Sequence, residues 1–491
     1  MKKFVLAIDQ GTTGTRAILF DQSGRIAGQA YREIRQYFPR PGWVEHDPSE
    51  LWHSTLHVIR IALAKSSAAA SAIAAIGITN QRETVILWDR ATGRPLHRAI
   101  VWQDRRTTDL CARLKRHEPA VRRITGLVLD PYFSGTKIQW LLKHAPAIAS
   151  AARRGRVAFG TVDSWLLWNL TGGKVHATDV TNASRTLLYD LSARRWSGTM
   201  LKMLDVPSEI LPDVFPSNHR FAATAKVGPL PAGIPIHGIA GDQQAALFGQ
   251  GCTRPGTAKN TYGTGCFLLM QTGQKIIHSR HGLITTAACD AQGRPAYALE
   301  GSVFIAGAAI QWLRDGLKII ENASQTERIA RSARDTGGVY FVPAFVGLGA
   351  PHWRPEARGL ICGLTRGTGR AQIVRAALES IAYQSDQVLR AMQKDSGILL
   401  KSMQVDGGAV KNNLLLQFQS DLSGVPVVRP RVIETTALGA AQLAGLGIGL
   451  WNSSDLQRMR GTDRIFRPTW DARRRAAATT GWLGAIRRTI S

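Results

Sequence analysis

The chain opens on two short apolar runs joined by a polar turn. Residues 4–8 predict a buried strand that stops at Asp9, Gly11-Thr12-Thr13 a tight turn, and residues 17–20 the returning strand. Residues 26–31 extend this hairpin into a third strand after Gln22-Ser23-Gly24. A helix is predicted from Pro48, with Asp47 as its cap and Glu50 closing a capping box; Leu51, Trp52, Leu56, Ile59 and Leu63 give it one apolar face. Residues 73–78 predict a strand ending at Thr79-Asn80-Gln81-Arg82-Glu83, and residues 84–88 the next. Residues 99–107 form an apolar strand feeding Trp102 and a polar cluster, and residues 132–140 a loop entering a helix. The helix predicted over 161–170 places Trp165 and Trp168 in the core.

Further on, a strand runs into Ala240-Gly241-Asp242-Gln243-Gln244 and a helix over 245–248. The turn Thr253-Arg254-Pro255-Gly256 marks a domain boundary, giving domains 1–252 and 253–491. The opening pattern then restarts: strand 258–262, turn Gly263-Thr264-Gly265, strand 266–270. Such an internal echo predicts two similar modules facing across a cleft. A long helix is expected over 306–320, and a strand ending in Gly407-Gly408 before a helix over 412–422. Three meandering strands followed by a helix suit a ribonuclease-H-like module, so the expected class is α/β with two such domains about a central cleft.

Composition narrows the class. A chain of 491 residues exceeds one hydrophobic core, and 44% hydrophobic with 20% charged residues is the balance of a soluble globular protein. No apolar run approaches a membrane span, and the amino terminus leads straight into a strand, so neither a transmembrane segment nor a cleavable signal is expected. Cys111, Cys252, Cys266, Cys289 and Cys362 are scattered and show no paired motif, which predicts reduced thiols in a cytoplasmic protein. The formal charge of +27 raises the question of an anionic partner. The arginines are dispersed, clustering only at Arg473-Arg474-Arg475 and Arg487-Arg488, and no nucleic-acid recognition motif accompanies them, so no specific nucleic-acid partner is expected.

The candidate chemistry sits at strand ends. Asp9 is a hard oxygen ligand suited to Mg²⁺. Gly11 lets backbone approach a ligand, Thr12 and Thr13 can donate to phosphate oxygens, and Arg16 adds charge. Arg82 and Glu83 lie where one strand ends and the next begins, a usual place for ligand contacts. Asp242 is a second strand-end carboxylate. Gly407 and Gly408 either let backbone lie against a flat ligand or serve helix–sheet packing.

Taken together, DQGTTGTRAILFD (9–21), PGWVEHDP (41–48), GITNQRET (77–84), AIVWQDRRT (99–107), GTVDSWLLWNLTGG (160–173), AGDQQAALFGQ (240–250), NTYGTGCFLL (260–269), GLGAPHWRPEARG (347–359) and VDGGAVKNN (405–413) closely resemble the FGGY carbohydrate kinase family, in register from about Phe4 to Trp451. NQRE, WQDRR and AGDQQ together resemble its glycerol-phosphorylating members rather than those acting on other sugars. The resemblance implies an actin-like two-domain fold and ATP- and Mg²⁺-dependent phosphorylation of glycerol to sn-glycerol 3-phosphate by a homodimer or homotetramer. It implies that Arg82, Glu83, Tyr132, Asp242 and Gln243 bind the polyol and that Trp102 and Phe267 wall its carbons. It implies further that Thr12, Thr13 and Arg16 bind phosphate with Asp9 near the metal, and that Thr264, Gly307, Gln311, Gly408 and Asn412 contact the nucleotide. Asp242 is the candidate base, because an ionised carboxylate accepts only. Rival expectations are a pentulose or gluconate kinase of the same family, and a catalytically silent nucleic-acid binder on the same scaffold. Some bacterial members that resemble this chain carry a Gly-Gly-Thr-Arg loop that binds fructose 1,6-bisphosphate. Residues 226–234 here contain no Arg and two prolines, so insensitivity to that effector is expected.

Overall fold

The computed structural model describes residues 3–354 and 356–491; Met1 and Lys2 of the amino terminus and Pro355 of the 347–359 motif lie outside them. β1 (Phe4–Gln10), β2 (Gly14–Asp21) and β3 (Ile26–Glu33) form an antiparallel meander. After α1 (Pro48–Ser66) comes β4 (Ile73–Asn80), parallel to β1 on its free side. The helix α2 (Ser134–His144) lies in the long excursion that follows. Edge strand β5 (Arg220–Ala223) runs antiparallel to β6 (Pro235–Gly241), which pairs parallel with β4. The first sheet is therefore ordered β5-β6-β4-β1-β2-β3, and α3 (Asp242–Gly249) leaves its end.

The second sheet repeats the plan. β7 (Thr257–Tyr262) and β8 (Cys266–Gly273) make the hairpin; β9 (Ile284–Ala287) adds an edge to β10 (Tyr297–Val303), the third meander strand. After α4 (Gly307–Asp315) and α5 (Arg370–Ser396), β11 (Ser402–Asp406) pairs parallel with β7. Then follow α6 (Asn413–Ser423), parallel β12 (Val427–Pro430), α7 (Thr435–Gly447), antiparallel β13 (Thr462–Phe466) and α8 (Ala472–Ile490). Meander, two parallel strands and an antiparallel edge occur twice, as two ribonuclease-H-like modules require.

Residues 4–8 of the first strand are all apolar because both its faces are covered there. Leu6 and Ile8 pack with Val58, Ile59 and Ala62 of α1, whereas Val5, Ala7, Ile18 and Phe20 pack with Ala437, Leu438, Ala441 and Ala444 of α7. A helix from the second half thus covers the first sheet. Its approach is close: a Cβ on Gly77 would lie 2.2 Å from the Ala440 carbonyl oxygen, and one on Gly439 would lie 1.9 Å from the carbonyl oxygen of Ala245 in α3.

Several predicted elements are corrected. Asp47 caps α1 through Ser49 N–H (2.8 Å), but Glu50 does not close a box; its Oε1 accepts from Arg35 N–H (2.9 Å). The strand expected over 84–88 is Ile86–Asp89, and that over 99–107 shrinks to Ala99–Ile100. The helix expected over 306–320 ends at Asp315. The Arg-rich tail is structural: Trp482 of α8 is buried and stacks on Tyr383 of α5, with ring centroids 5.0 Å apart. No helix among the described residues is long and apolar enough to cross a membrane, and the five cysteines are unpaired, four of them buried.

Candidate functional site

The opening hairpin delivers one wall of the site. Asp9, the penultimate residue of β1, pairs with Arg16 of β2, and Gly11 N–H closes the turn on the Gly14 carbonyl (2.9 Å). Burial pushes the Asp9 carboxyl up to about 7; Arg16 pulls it down, and Asp242 pushes it up further. Asp242 is thus near enough for its charge to act on Asp9. Among the described residues no group of three or more His, Cys, Asp or Glu is placed to hold a metal. A pair of hard carboxylates fits a Mg²⁺ ion that keeps most of its shell as water and phosphate oxygens. Arg16 also forms an ion pair with Glu434, the residue preceding α7, and lies over the Tyr31 ring. Thr13 is exposed, and Thr12 Oγ1 accepts from Trp102 Nε1 at 2.8 Å.

That bond fixes an aromatic wall. The Trp102 ring meets Tyr132 edge-on at 5.5 Å and Phe267 at 6.5 Å, so three rings predicted from three distant motifs stand together. The Tyr132 loop is held from below by Lys137, whose buried ammonium donates to the carbonyls of Pro131 (2.6 Å), Tyr132 (2.7 Å) and Phe133 (3.2 Å). Burial lowers the Lys137 pKa to about 8.

The polar floor is a closed ring of charges. Arg82 donates from both terminal nitrogens to Glu300 (2.6 and 2.9 Å); Arg185 donates to Glu300 (3.1 Å) and to Glu83 (2.5 Å); Arg82 Nε lies 3.7 Å from Glu83. All four side chains are at most 2% exposed. Burial raises Glu300, but Arg185 and Arg82 outweigh it and hold the carboxyl down at about 2. For Glu83 burial wins over the same two guanidiniums, and its pKa is raised. Glu83 also has left-handed backbone, φ 62°, a conformation that costs about 1–3 kcal/mol for a non-glycine residue unless its surroundings enforce it. The ring enforces it here.

Asp242 starts α3. Its Oδ1 accepts from the following Gln243 N–H (2.7 Å) and lies 3.3 Å from Arg82 Nε; the side chain is 30% exposed. Gln243 reaches toward the second sheet, and Gln244 is buried, accepting from Arg82 (3.2 Å) and donating to Thr286 (3.0 Å). Glu300 and Arg185 were missed from sequence. The signal for Glu300 was a lone carboxylate between Leu299 and Gly301 in an apolar strand, a position that demands a buried cation.

The predicted nucleotide residues also converge. Thr264, Gly307, Gln311, Gly408 and Asn412 line one cavity of about 480 Å³ in the second half. Gly307 is required by close approach, since a Cβ there would lie 2.6 Å from the Gly263 carbonyl oxygen. The glycine pair divides its work. Gly407 has φ 93° and packs on the Tyr262 backbone, whereas a Cβ on Gly408 would meet nothing within 4 Å. Asn412 caps α6 through Leu415 N–H (3.0 Å).

Comparison with known proteins gives concordant matches. Residues 4–249 match the N-terminal domain, and residues 258–448 the C-terminal domain, of the FGGY family of carbohydrate kinases. Glycerol kinase of Leptothrix cholodnii is 57% identical, with 99% of each chain covered, and that of Symbiobacterium thermophilum is 55% identical over 99% of this chain and 98% of its own. The crystal structure of Plasmodium falciparum glycerol kinase with ADP superposes with a TM-score of 0.95 at 38% identity, covering 100% of this chain and 99% of its own.

Proposed function

Since the chain belongs to the FGGY family of carbohydrate kinases, we propose how its residues carry out the phosphorylation of glycerol by ATP, which yields sn-glycerol 3-phosphate and ADP. The observation that carries the reading is the juxtaposition of a charged floor with the Trp102–Tyr132–Phe267 wall. A triol presents a short carbon chain and hydroxyls only. The aromatic wall takes the carbons, and Arg82 with Gln243 as donors and Glu83 with Asp242 as acceptors take the hydroxyls. Paired donors and acceptors reject a substrate that leaves one of them unmatched.

Asp242 accepts the proton of the attacking hydroxyl. Its Oδ1 is engaged by Gln243 N–H and faces Arg82, so Oδ2 is the oxygen free to take that proton. Thr12, Thr13 and Arg16 steady the phosphate oxygens, and the Arg82 guanidinium lies 3.3 Å from Asp242 Oδ1 and orients the carboxylate. Mg²⁺, held at Asp9, supplies charge neutralisation on the phosphate oxygens when bound. The work divides between residues 1–252, which supply most of the glycerol contacts and bind the phosphates, and residues 253–491, which bind adenosine and add Phe267 to the glycerol wall. Support for this division is the 480 Å³ cavity, lined entirely by residues of the second half. Five unpaired cysteines suit a cytoplasmic setting.

The test is ADP release by the purified protein with ATP and Mg²⁺, alone and with glycerol, a pentulose or gluconate. Glycerol alone should raise turnover well above the blank. Turnover with a pentulose or gluconate and none with glycerol would overturn the reading.

A further inference from the structure

A lysine that neither the motifs nor the family relationship singled out reaches into this floor from the opposite sheet. Lys259 stands mid-strand on β7, between Ala258 and Asn260, and its side chain is fully buried. Its ammonium donates to Gln243 Oε1 and to Thr261 Oγ1 (2.7 Å). The carboxylates of Asp406, Asp242 and Glu300 face it, and so does the Arg82 guanidinium. Burial lowers its pKa, and Asp406 and Asp242 oppose that.

An ammonium has three protons and no acceptor. Its partner atom in an amide must therefore be the oxygen, and the Gln243 NH₂ is forced to point elsewhere. Among the described residues that NH₂ makes no hydrogen bond, and Gln243 is partly open to the cleft. An unrestrained glutamine presents oxygen or nitrogen with similar ease; this one presents nitrogen only. Next to it Asp242 is an acceptor when ionised.

We propose that Lys259 is a positioning residue for substrate recognition, which locks the Gln243 amide as a donor so that one hydroxyl meets a donor at Gln243 and an acceptor at Asp242. The proposal rests on the assignment of Gln243 and Asp242 to glycerol made above. A hydroxyl is a ligand that donates and accepts through one atom, and a fixed donor beside a fixed acceptor reads both functions. Because Lys259 belongs to the second sheet, the lock exists only while the two halves are together at this point.

The experiment is steady-state kinetics on Lys259→Met, Lys259→Arg, Gln243→Ala and the double variant Lys259→Met/Gln243→Ala. Lys259→Met should raise the KM for glycerol about tenfold, the effect of one lost hydrogen bond, and leave the KM for ATP within about twofold. In the Gln243→Ala background the same substitution should change the glycerol KM by less than about twofold, because Lys259 acts through that amide. Lys259→Arg keeps a donor-only cation and should stay within about threefold of the parent. An unchanged glycerol KM in Lys259→Met, equal rises for both substrates, or additive effects in the double variant would overturn the proposal. Should Lys259→Met not fold, a tenfold rise in Lys259→Arg would do so instead. If Gln243→Ala leaves glycerol KM unchanged, the assignment of Gln243 itself fails, whatever Lys259 does.

Discussion

Replacing Glu300 by Gln probes the charge ring without changing its shape. The carboxyl titrates near 4.5 in an unfolded chain and is held at about 2 in the folded protein. That difference in proton affinity corresponds to about 3 kcal/mol of stability at neutral pH. An independent route agrees: removing one partner from a buried ion pair typically costs about 3–5 kcal/mol, because the remaining charge stays buried without compensation. In Glu300→Gln two guanidiniums, Arg82 and Arg185, lose their shared carboxylate. At about 2–4 °C per kcal/mol for a domain of this size, the thermal midpoint should fall by about 6–12 °C. The sign with pH follows from the depressed pKa. The stabilisation is present above 4.5 and lost as pH falls from there toward 2, so parent and variant should converge in acid. Arg82 also loses its bidentate anchor, so the KM for glycerol should rise about tenfold or more, whereas the ATP KM should hold within about twofold. Differential scanning fluorimetry across pH and coupled assays measure both. A midpoint within about 2 °C of the parent at pH 7, with unchanged glycerol KM, would refute the view that the ring organises the floor.

Asp242→Asn should cut turnover by about 10²-fold or more while glycerol affinity stays within about tenfold, read by coupled kinetics and calorimetry; near-parental turnover would remove Asp242 as the base. Gly408→Leu places a side chain in open cavity space and should raise the ATP KM at least about tenfold with little effect on folding. Gly407→Ala, at φ 93° against Tyr262, should instead destabilise the fold by about 1–3 kcal/mol, seen as a lower thermal midpoint. Residues 226–234 form a tight turn in which Gly228 packs on Leu56 and Leu230 is buried, so activity titrated with fructose 1,6-bisphosphate should stay flat, and saturable inhibition would contradict this.

What was legible in the sequence was local. Strand-end carboxylates, glycine turns and the aromatic motifs are each signalled by their immediate neighbours, and the repeat of hairpin and glycine turn announced the second module. Glu50 misled because its box is a local possibility, whereas the Arg35 N–H that takes its carboxylate arrives from another segment. The helix over 306–320 was overextended because its apolar periodicity continues beyond Asp315 although the helix itself does not. Glu300, Arg185 and Lys259 escaped for one reason: each is a polar residue whose meaning lies in a distant partner. Arg82 and Glu300 are 218 positions apart, and Glu83 and Arg185 are 102 apart. Pattern reading sees that a charge sits in an apolar run; it does not see which group meets it there.

The cover that α7 provides for the first sheet has a consequence for biosynthesis. Val5, Ala7, Ile18, Phe20 and Ala75 are all within the first stretch of chain to leave the ribosome, yet the helix and the Trp451 and Met459 side chains that bury them are among the last. At about 5–20 residues per second, that apolar face waits on the order of tens of seconds for its partner. During that interval the nascent protein displays a sticky sheet surface of the kind that chaperones hold, and a messenger truncated between the codons for Gly249 and Thr435 yields an amino-terminal half that has every strand of its sheet and only one side of its core.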